Sequence, residues 1–328
     1  MLRLIAAFLA MFIVCGASQL TGYSTMAQEA TPVAATPVLP VTFTDGMGNE
    51  VTVTDVSRIV PLNGDIAEIV WSLGLGENIV GVDVTATYPE SFAYLPSIGF
   101  ARQLSAEGIL SLEPTVVIGD KTAGPVDVLN QLRDAGVTVV IINSYTDFEA
   151  PFEKVTDVAA ALGVTAEGEA LKARMQAEVD AAVALGETAS FKPRVVFLYV
   201  RGTSTQLIGG EGSGADTLIQ LAGGIDAGTE AGVKGFMPIT AESLVTAAPD
   251  VILVMTGGLE SIGGIDGLLE IPGIAETPAG QNGAILAFED QYLLGLGPRI
   301  GSVLTDLVYG LHPELAPAST PIASPEAA

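Results

Sequence analysis

Leu104-Ser105-Ala106-Glu107-Gly108-Ile109-Leu110-Ser111-Leu112-Glu113-Pro114-Thr115-Val116-Val117-Ile118-Gly119 is the stretch that decides the fold. Ser105 has the side chain of a helix N-cap, ahead of Ala106 and Glu107. Pro114 keeps the residue before it out of the helical region, so the helix must stop. Thr115 to Ile118 is an apolar, β-branched run of the kind buried on both faces of a parallel sheet. A short helix therefore feeds a core strand. The same order returns at Ile239-Thr240-Ala241-Glu242-Ser243-Leu244-Val245-Thr246-Ala247-Ala248-Pro249-Asp250-Val251-Ile252-Leu253-Val254, and Glu242 stands 135 positions after Glu107. One copy in each half predicts two α/β lobes rather than one large domain.

Working outward, Val41–Thr44 and Val51–Val53 flank Asp45-Gly46-Met47-Gly48-Asn49-Glu50 and read as a hairpin. Arg58-Ile59-Val60 begins the first lobe, a helix is expected over Asp65–Leu73, and Ile79–Val82 reads as a strand. Val126–Leu132 is a helix and Val137–Ile142 a buried strand. From Phe148 to Leu185 the apolar residues keep helical spacing with a joint at Gly163, so 148–190 reads as a long connecting helix. Val195–Val200 opens the second lobe, with a helix at Thr217–Leu221, a strand at Ala284–Ala287 and a closing helix at Ile300–Leu311. The expected architecture is two Rossmann-like α/β lobes, 41–147 and 191–312, joined by a long rigid helix.

Both ends read differently. Arg3 followed by the mainly apolar Leu4–Val14 has the order of an export signal, too short to span a membrane comfortably. Small residues at Thr25-Met26-Ala27 suit cleavage, giving a signal segment over 1–27. Cys15 offers lipid attachment instead, although Val14 is larger than the residue that chemistry prefers. Residues 28–40, rich in Ala, Thr and Pro, read as a linker, and 313–328 as a disordered tail.

Composition narrows the function. With 328 residues, 13 Lys+Arg against 38 Asp+Glu and a net charge of −25, the chain would be repelled by nucleic acid or an anionic membrane. The one histidine, His312, and the one cysteine, Cys15, leave a His-based metal site, a Ser-His-Asp triad, a Cys-His dyad and a disulfide without their parts.

Tyr199 and Arg201 share a strand face at period two and sit at the C-terminal end of an apolar strand, before Gly202, where open α/β sheets present ligands. A phenol becomes a phenolate ligand where a ferric ion bears on it, and a guanidinium alongside lowers the cost of that charge. The same pair also fits a core tyrosine with a surface arginine. Gly209-Gly210-Glu211-Gly212-Ser213-Gly214 fits an anion cradle or a tight turn, and matches neither phosphate-loop pattern. Glu107 and Glu242 fit an acid–base pair, stabilisation of two helix N-termini, or a two-point docking surface for arginines of a partner.

Gly99-Phe100-Ala101-Arg102-Gln103-Leu104-Ser105-Ala106-Glu107-Gly108-Ile109-Leu110, Gly212-Ser213-Gly214-Ala215-Asp216, Met255-Thr256-Gly257-Gly258-Leu259-Glu260-Ser261 and Thr277-Pro278-Ala279-Gly280 together give a resemblance. Nearly all of Arg58–Leu311 resembles the solute-binding proteins of bacterial ABC importers for haem, cobalamin and ferric siderophores, most of all haemin-binding proteins. The resemblance implies the helical-backbone class of the periplasmic-binding-protein fold, no enzymatic activity, and haem as a transported ligand rather than a catalytic cofactor. It implies an ABC permease and its ATPase as partners, docked through Glu107 and Glu242, and a location in the periplasm or on the outer face of the cytoplasmic membrane. It makes Tyr199 the axial iron ligand and Arg201 its support. Phe100 departs from the pattern: the family usually has Tyr or His there, and Phe100 cannot ligate iron. This implies either five-coordinate haem with Phe100 packed on the porphyrin, or another tetrapyrrole or iron chelate as cargo. Arg102, Lys234 and Arg299 are candidates for haem propionates. Tyr88 and Tyr292 read as ordinary, partly buried tyrosines. A reductase on a related scaffold ranks last, because such enzymes hold metal clusters through cysteines.

Overall fold

The computed structural model describes residues 32–145 and 148–317. The expected signal segment, Cys15 and the last residues of the expected tail lie outside them. Eleven strands are present among the described residues, numbered in chain order. β1 (Val41–Thr44) and β2 (Glu50–Val53) form the antiparallel hairpin. Its turn is held by the buried Asp45 carboxylate, which accepts from the N–H groups of Met47 and Asn49.

β3 (Ile59–Pro61), β4 (Val116–Asp120) and β5 (Thr138–Ile142) make a parallel sheet in that order. Alternate residues face opposite sides. Val116, Ile118, Val140 and Ile142 enter one apolar cluster, and Val117, Val139 and Ile141 enter another. The sheet is covered on both faces, the condition under which uninterrupted apolar strands are stable. Ile79–Val82 does not form the expected strand. Ile79 and Val82 make only single bridges, to Ile59 and Ser97, because the chain leaves the sheet edge at once and pairs with 96–98 instead.

The second sheet contains β6 (Arg194–Arg201), β7 (Thr205–Gly209), β8 (Ile225–Asp226), β9 (Phe236–Pro238), β10 (Val251–Met255) and β11 (Ile285–Phe288). Its order is β11-β10-β6-β7-β9, with β8 pairing the start of β6. β6, β10 and β11 are parallel, while β7 runs antiparallel to both β6 and β9. Along β6, Val195 and Phe197 join one core, and Val196, Leu198 and Val200 the other.

The helical stretch between the sheets is two helices. Ala150–Ala161 packs against the first lobe, and the 23-residue Thr165–Glu187 runs on beyond it, lying along Ile300–Leu311. Gly163, at φ +71°, makes the break, a backbone setting that costs a side-chain-bearing residue about 1 kcal/mol or more. Apolar residues of both helices, of Ile300–Leu311 and of both sheets form one continuous cluster.

Two expectations about the ends are corrected. Pro32–Pro40 is not a free linker: Ala35 and Val38 donate their N–H groups to the carbonyls of Gly74 and Gly163, and Leu39 packs on the core. Each of those carbonyls lies where a helix ends and has no partner within it, which gives the passing backbone a place to bind. At the other end Pro313–Leu315 forms a single 3₁₀ turn, and Leu315 also touches the core.

The lobes are tied across their base by an ion pair. Arg299, at the head of Ile300–Leu311, donates from Nε to Glu68 Oε1 at 2.8 Å and from Nη2 to Oε2 at 3.0 Å. Glu68 belongs to the first-lobe helix Gly64–Val70 and is 2% exposed. Gln291 adds a third bond to the same carboxylate, and Thr87 bonds Gln291 and Glu289 from the other side. Burial alone would lower the pKa of Arg299, but the bonds and charge of Glu68 outweigh it and raise the value. Removing one member of such a pair strands the other charge. Arg299→Ala should therefore lower unfolding free energy by about 3–5 kcal/mol. Urea unfolding of wild type and variant measures this.

Candidate functional site

Tyr199 and Arg201 lie together at the C-terminal end of β6, as the period-two spacing requires. The Arg201 guanidinium carbon stands 4.9 Å from the centroid of the Tyr199 ring, within cation–π range. On its other flank the ring meets Phe236 of β9 edge-on, at 5.7 Å between centroids. Phe236 is 41% exposed, so this aromatic pair borders solvent rather than closing the core.

Arg201 is fixed by three groups. Its Nη2 donates to Asp290 Oδ2 at 2.6 Å and approaches Met255 Sδ at 3.8 Å, while Nη1 donates to the Val200 carbonyl at 3.0 Å. Asp290 Oδ1 accepts from the Gly257 N–H at 3.0 Å, which joins the end of β6 to the turn after β10. The glycines of Thr256-Gly257-Gly258 are needed there. A Cβ at Gly258 would lie 2.7 Å from the Val200 carbonyl oxygen and 2.9 Å from Arg201 Nη1, so any larger residue would push the arginine aside.

In the first lobe Phe100 is 42% exposed, at the start of the turn Ala101–Gln103. The nearly inaccessible Asp83 positions it, accepting from the Ala101 N–H at 2.7 Å with Oδ2 and from the Thr85 N–H at 2.7 Å with Oδ1. Arg102 is exposed, with its guanidinium carbon 5.9 Å from the Phe100 ring centroid.

Other residues singled out from the sequence have different settings. Arg299 is not an open cation: besides Glu68 it is stacked between Tyr88, at 4.0 Å, and Tyr292, at 4.8 Å. Lys234 is 80% exposed and pairs with Glu211. In the Gly209–Gly214 turn the N–H groups of Gly212 and Gly214 bond the Asp216 carboxylate, so this turn is filled by the chain itself. Glu107 and Glu242 are exposed in the first turns of Ala106–Leu110 and Ala241–Ala247, and neither forms an ion pair among the described residues. Ser105 and Thr240 cap those helices, the second through a reciprocal bond with Ser243.

Tyr292 is held by a carboxylate. Burial, reinforced by the Asp306 carboxylate that its hydroxyl donates to at 2.7 Å, drives its pKa far above the ordinary tyrosine value. Its proton is held more firmly than that of an ordinary tyrosine, and its hydroxyl is already engaged by Asp306. Sequence reading missed Asp290, Glu68 and Phe236, whose partners are 89, 231 and 37 positions away, so no local pattern signals them.

Among the described residues no three His, Cys, Asp or Glu side chains stand together as a metal site, and no helix is long and apolar enough to cross a membrane. Two α/β lobes on a long helix, with aromatic and cationic side chains at strand ends, define a solute-binding protein. The profile of the periplasmic binding protein family matches residues 59–292, and the chain belongs to that family, whose members bind solutes rather than transform them.

RhuT, a periplasmic haem-binding protein from Roseiflexus sp. RS-1, is 50% identical, with 80% of this chain and all of that one covered and a TM-score of 0.76. The haem-binding protein HmuT is 39% identical over 90% of this chain and 98% of its own, with a TM-score of 0.78. HmuT has also been solved with a histidine, a tyrosine or an arginine replaced; the tyrosine lies 99 positions after the histidine and two before the arginine. A cobalamin-binding protein of Halobacterium salinarum is 27% identical over 281 residues, 83% of this chain and 74% of its own.

The Tyr292 setting has a measurable consequence. A folded-state pKa above the unfolded value gives stability that is whole below about pH 10 and is lost as pH rises toward the folded value. Tyr292→Phe should therefore show a shallower fall of melting temperature between pH 9 and 11 than wild type, on the order of a few degrees less. Equal slopes for the two proteins would contradict this.

Proposed function

We propose that this chain is the extracytoplasmic haem-binding component of an ABC importer, capturing ferric haem between lobes 41–147 and 191–312 and delivering it to a permease. The observation that carries the reading is Tyr199 at the solvent end of β6 with the Arg201 guanidinium over its ring. The phenolate oxygen of Tyr199 is the iron ligand, and the cation beside it offsets the charge that forms. Spacing supports the assignment: the three residues replaced in HmuT have the intervals that separate Phe100, Tyr199 and Arg201 here. Where HmuT has the histidine, this chain places Phe100, an apolar ring that packs on a porphyrin face and leaves iron five-coordinate. Arg102, beside the Phe100 ring, supplies a cation for a propionate. The cobalamin-binding relative favours a second reading, in which the same scaffold holds a cobalamin.

Delivery calls for an ABC permease with its ATPase. Glu107 and Glu242, exposed on helix starts in separate lobes, dock the two lobes onto it. The chain is exported, and Cys15 is the position for a lipid anchor; the mass of the mature protein distinguishes a lipid there from cleavage after Ala27.

Titration of the mature protein with ferric haem should give a saturable tyrosinate-type absorption spectrum in wild type that is absent in Tyr199→Ala. If wild type does not saturate with haem, the reading fails, and saturation with cobalamin establishes the alternative. Replacing Glu107 and Glu242 together by Arg should leave haem affinity within about twofold, as expected for exposed side chains, while abolishing permease-stimulated uptake into vesicles. Undiminished uptake would remove the docking role.

A further inference from the structure

We infer that Asp290 is a positioning residue of the ligand site: its carboxylate holds the Arg201 guanidinium over the Tyr199 ring. The inference rests on the haem-binding reading for its consequence, but its geometry stands without a ligand. Arg201 ends a strand, and with 36% of its side chain exposed it has solvent on one side into which a long, flexible cation can swing. The bond to Val200, its own neighbour in sequence, does little to prevent that. Asp290 does, at 2.6 Å from Nη2, because it approaches from a different strand end.

The position of Asp290 is itself determined. It follows β11 directly and starts Asp290–Leu294, whose N-cap Glu289 accepts from the Tyr292 N–H at 2.7 Å. Its second oxygen is held by the Gly257 N–H. The flanking Glu289 and Gln291 bond Thr87 of the first lobe. The anchor of Arg201 is therefore built on backbone tied to β10, to β11 and across the cleft. A carboxylate with both oxygens engaged is also poorly placed to follow a moving arginine outward.

Two other roles lead to different behaviour. If Asp290 serves only to hold the turn at Gly257, its removal leaves Arg201 ordered. If it only neutralises charge, its removal leaves Arg201 in place as a bare cation and tightens the hold on an iron-bound phenolate. Positioning predicts an Arg201 that becomes mobile and a ligand that leaves sooner.

The test has one arm without ligand and one with it, on the mature protein. In ligand-free protein labelled with ¹⁵N-arginine, Arg201 should show separate, exchange-protected Nη signals, assigned by their loss in Arg201→Gln. Asp290→Ala and the isosteric Asp290→Asn should both collapse those signals, and a thermal melt on each confirms folding. In haem-loaded protein, transfer to an apo acceptor should accelerate about tenfold in Asp290→Ala, the worth of one charge-assisted hydrogen bond. Arg201→Gln should accelerate it to the same extent, and the double variant no further, with the tyrosinate band kept in all three. Arg201 signals unchanged by both Asp290 variants, additive effects in the double variant, or slower haem loss in Asp290→Ala would each overturn the proposal. Should wild type fail to bind haem, the haem reading falls alone, and the arginine signals still decide the role of Asp290.

Discussion

The buried pair between Arg299 and Glu68 is the constraint on which the arrangement of the lobes depends. A carboxylate at 2% exposure is tolerable only with its oxygens satisfied, and Arg299 supplies two parallel bonds from the other lobe while Gln291 supplies a third. Tyr88 and Tyr292 close over the guanidinium from either side, one from each lobe. Separating the lobes would break these bonds and expose two charges now held out of water. The long helix Thr165–Glu187 and the shared apolar cluster add to this, so the two sheets are held at a fixed separation rather than swung on a loop.

With the lobes held in this way, side chains at strand ends take up distinct settings. β6 divides its side chains between two cores over most of its length, and only at Tyr199 and Arg201 does one of those faces run out into solvent. Two of the second lobe's tyrosines, Tyr199 and Tyr292, have different surroundings. Tyr292 donates to the Asp306 carboxylate, whereas Tyr199 lies between the half-exposed Phe236 on one side and the Arg201 cation on the other. The acidic balance of the whole chain, −25, leaves few cations anywhere, and those near the cleft are mostly committed to carboxylates.

Much of the fold was legible because it is written in local grammar. Hydroxyl cap, short apolar helix, Pro and a β-branched strand recur at Ser105 and Thr240, and both copies fold as read. Ile300–Leu311 has the limits its periodicity gives. Ile79–Val82 misled because a strand needs a neighbour as well as a composition, and the chain beside it pairs elsewhere. Pro32–Pro40 misled for the converse reason: its composition offers no core, but two open helix-end carbonyls bind its backbone.

By itself the sequence determined the two α/β halves and the shared face of Tyr199 and Arg201, since each follows from residue type and short-range period; the departure at Phe100 was legible only through the family resemblance. Tertiary structure alone decided that Arg299 is locked to Glu68 rather than open to a ligand, that the partly buried Tyr292 hydroxyl is bonded to Asp306, and that Asp290 meets Arg201 across 89 positions of chain. The physical reason is that side-chain charge and burial are set by partners, and these partners are brought together only when helices and strand ends from different parts of the chain pack side by side.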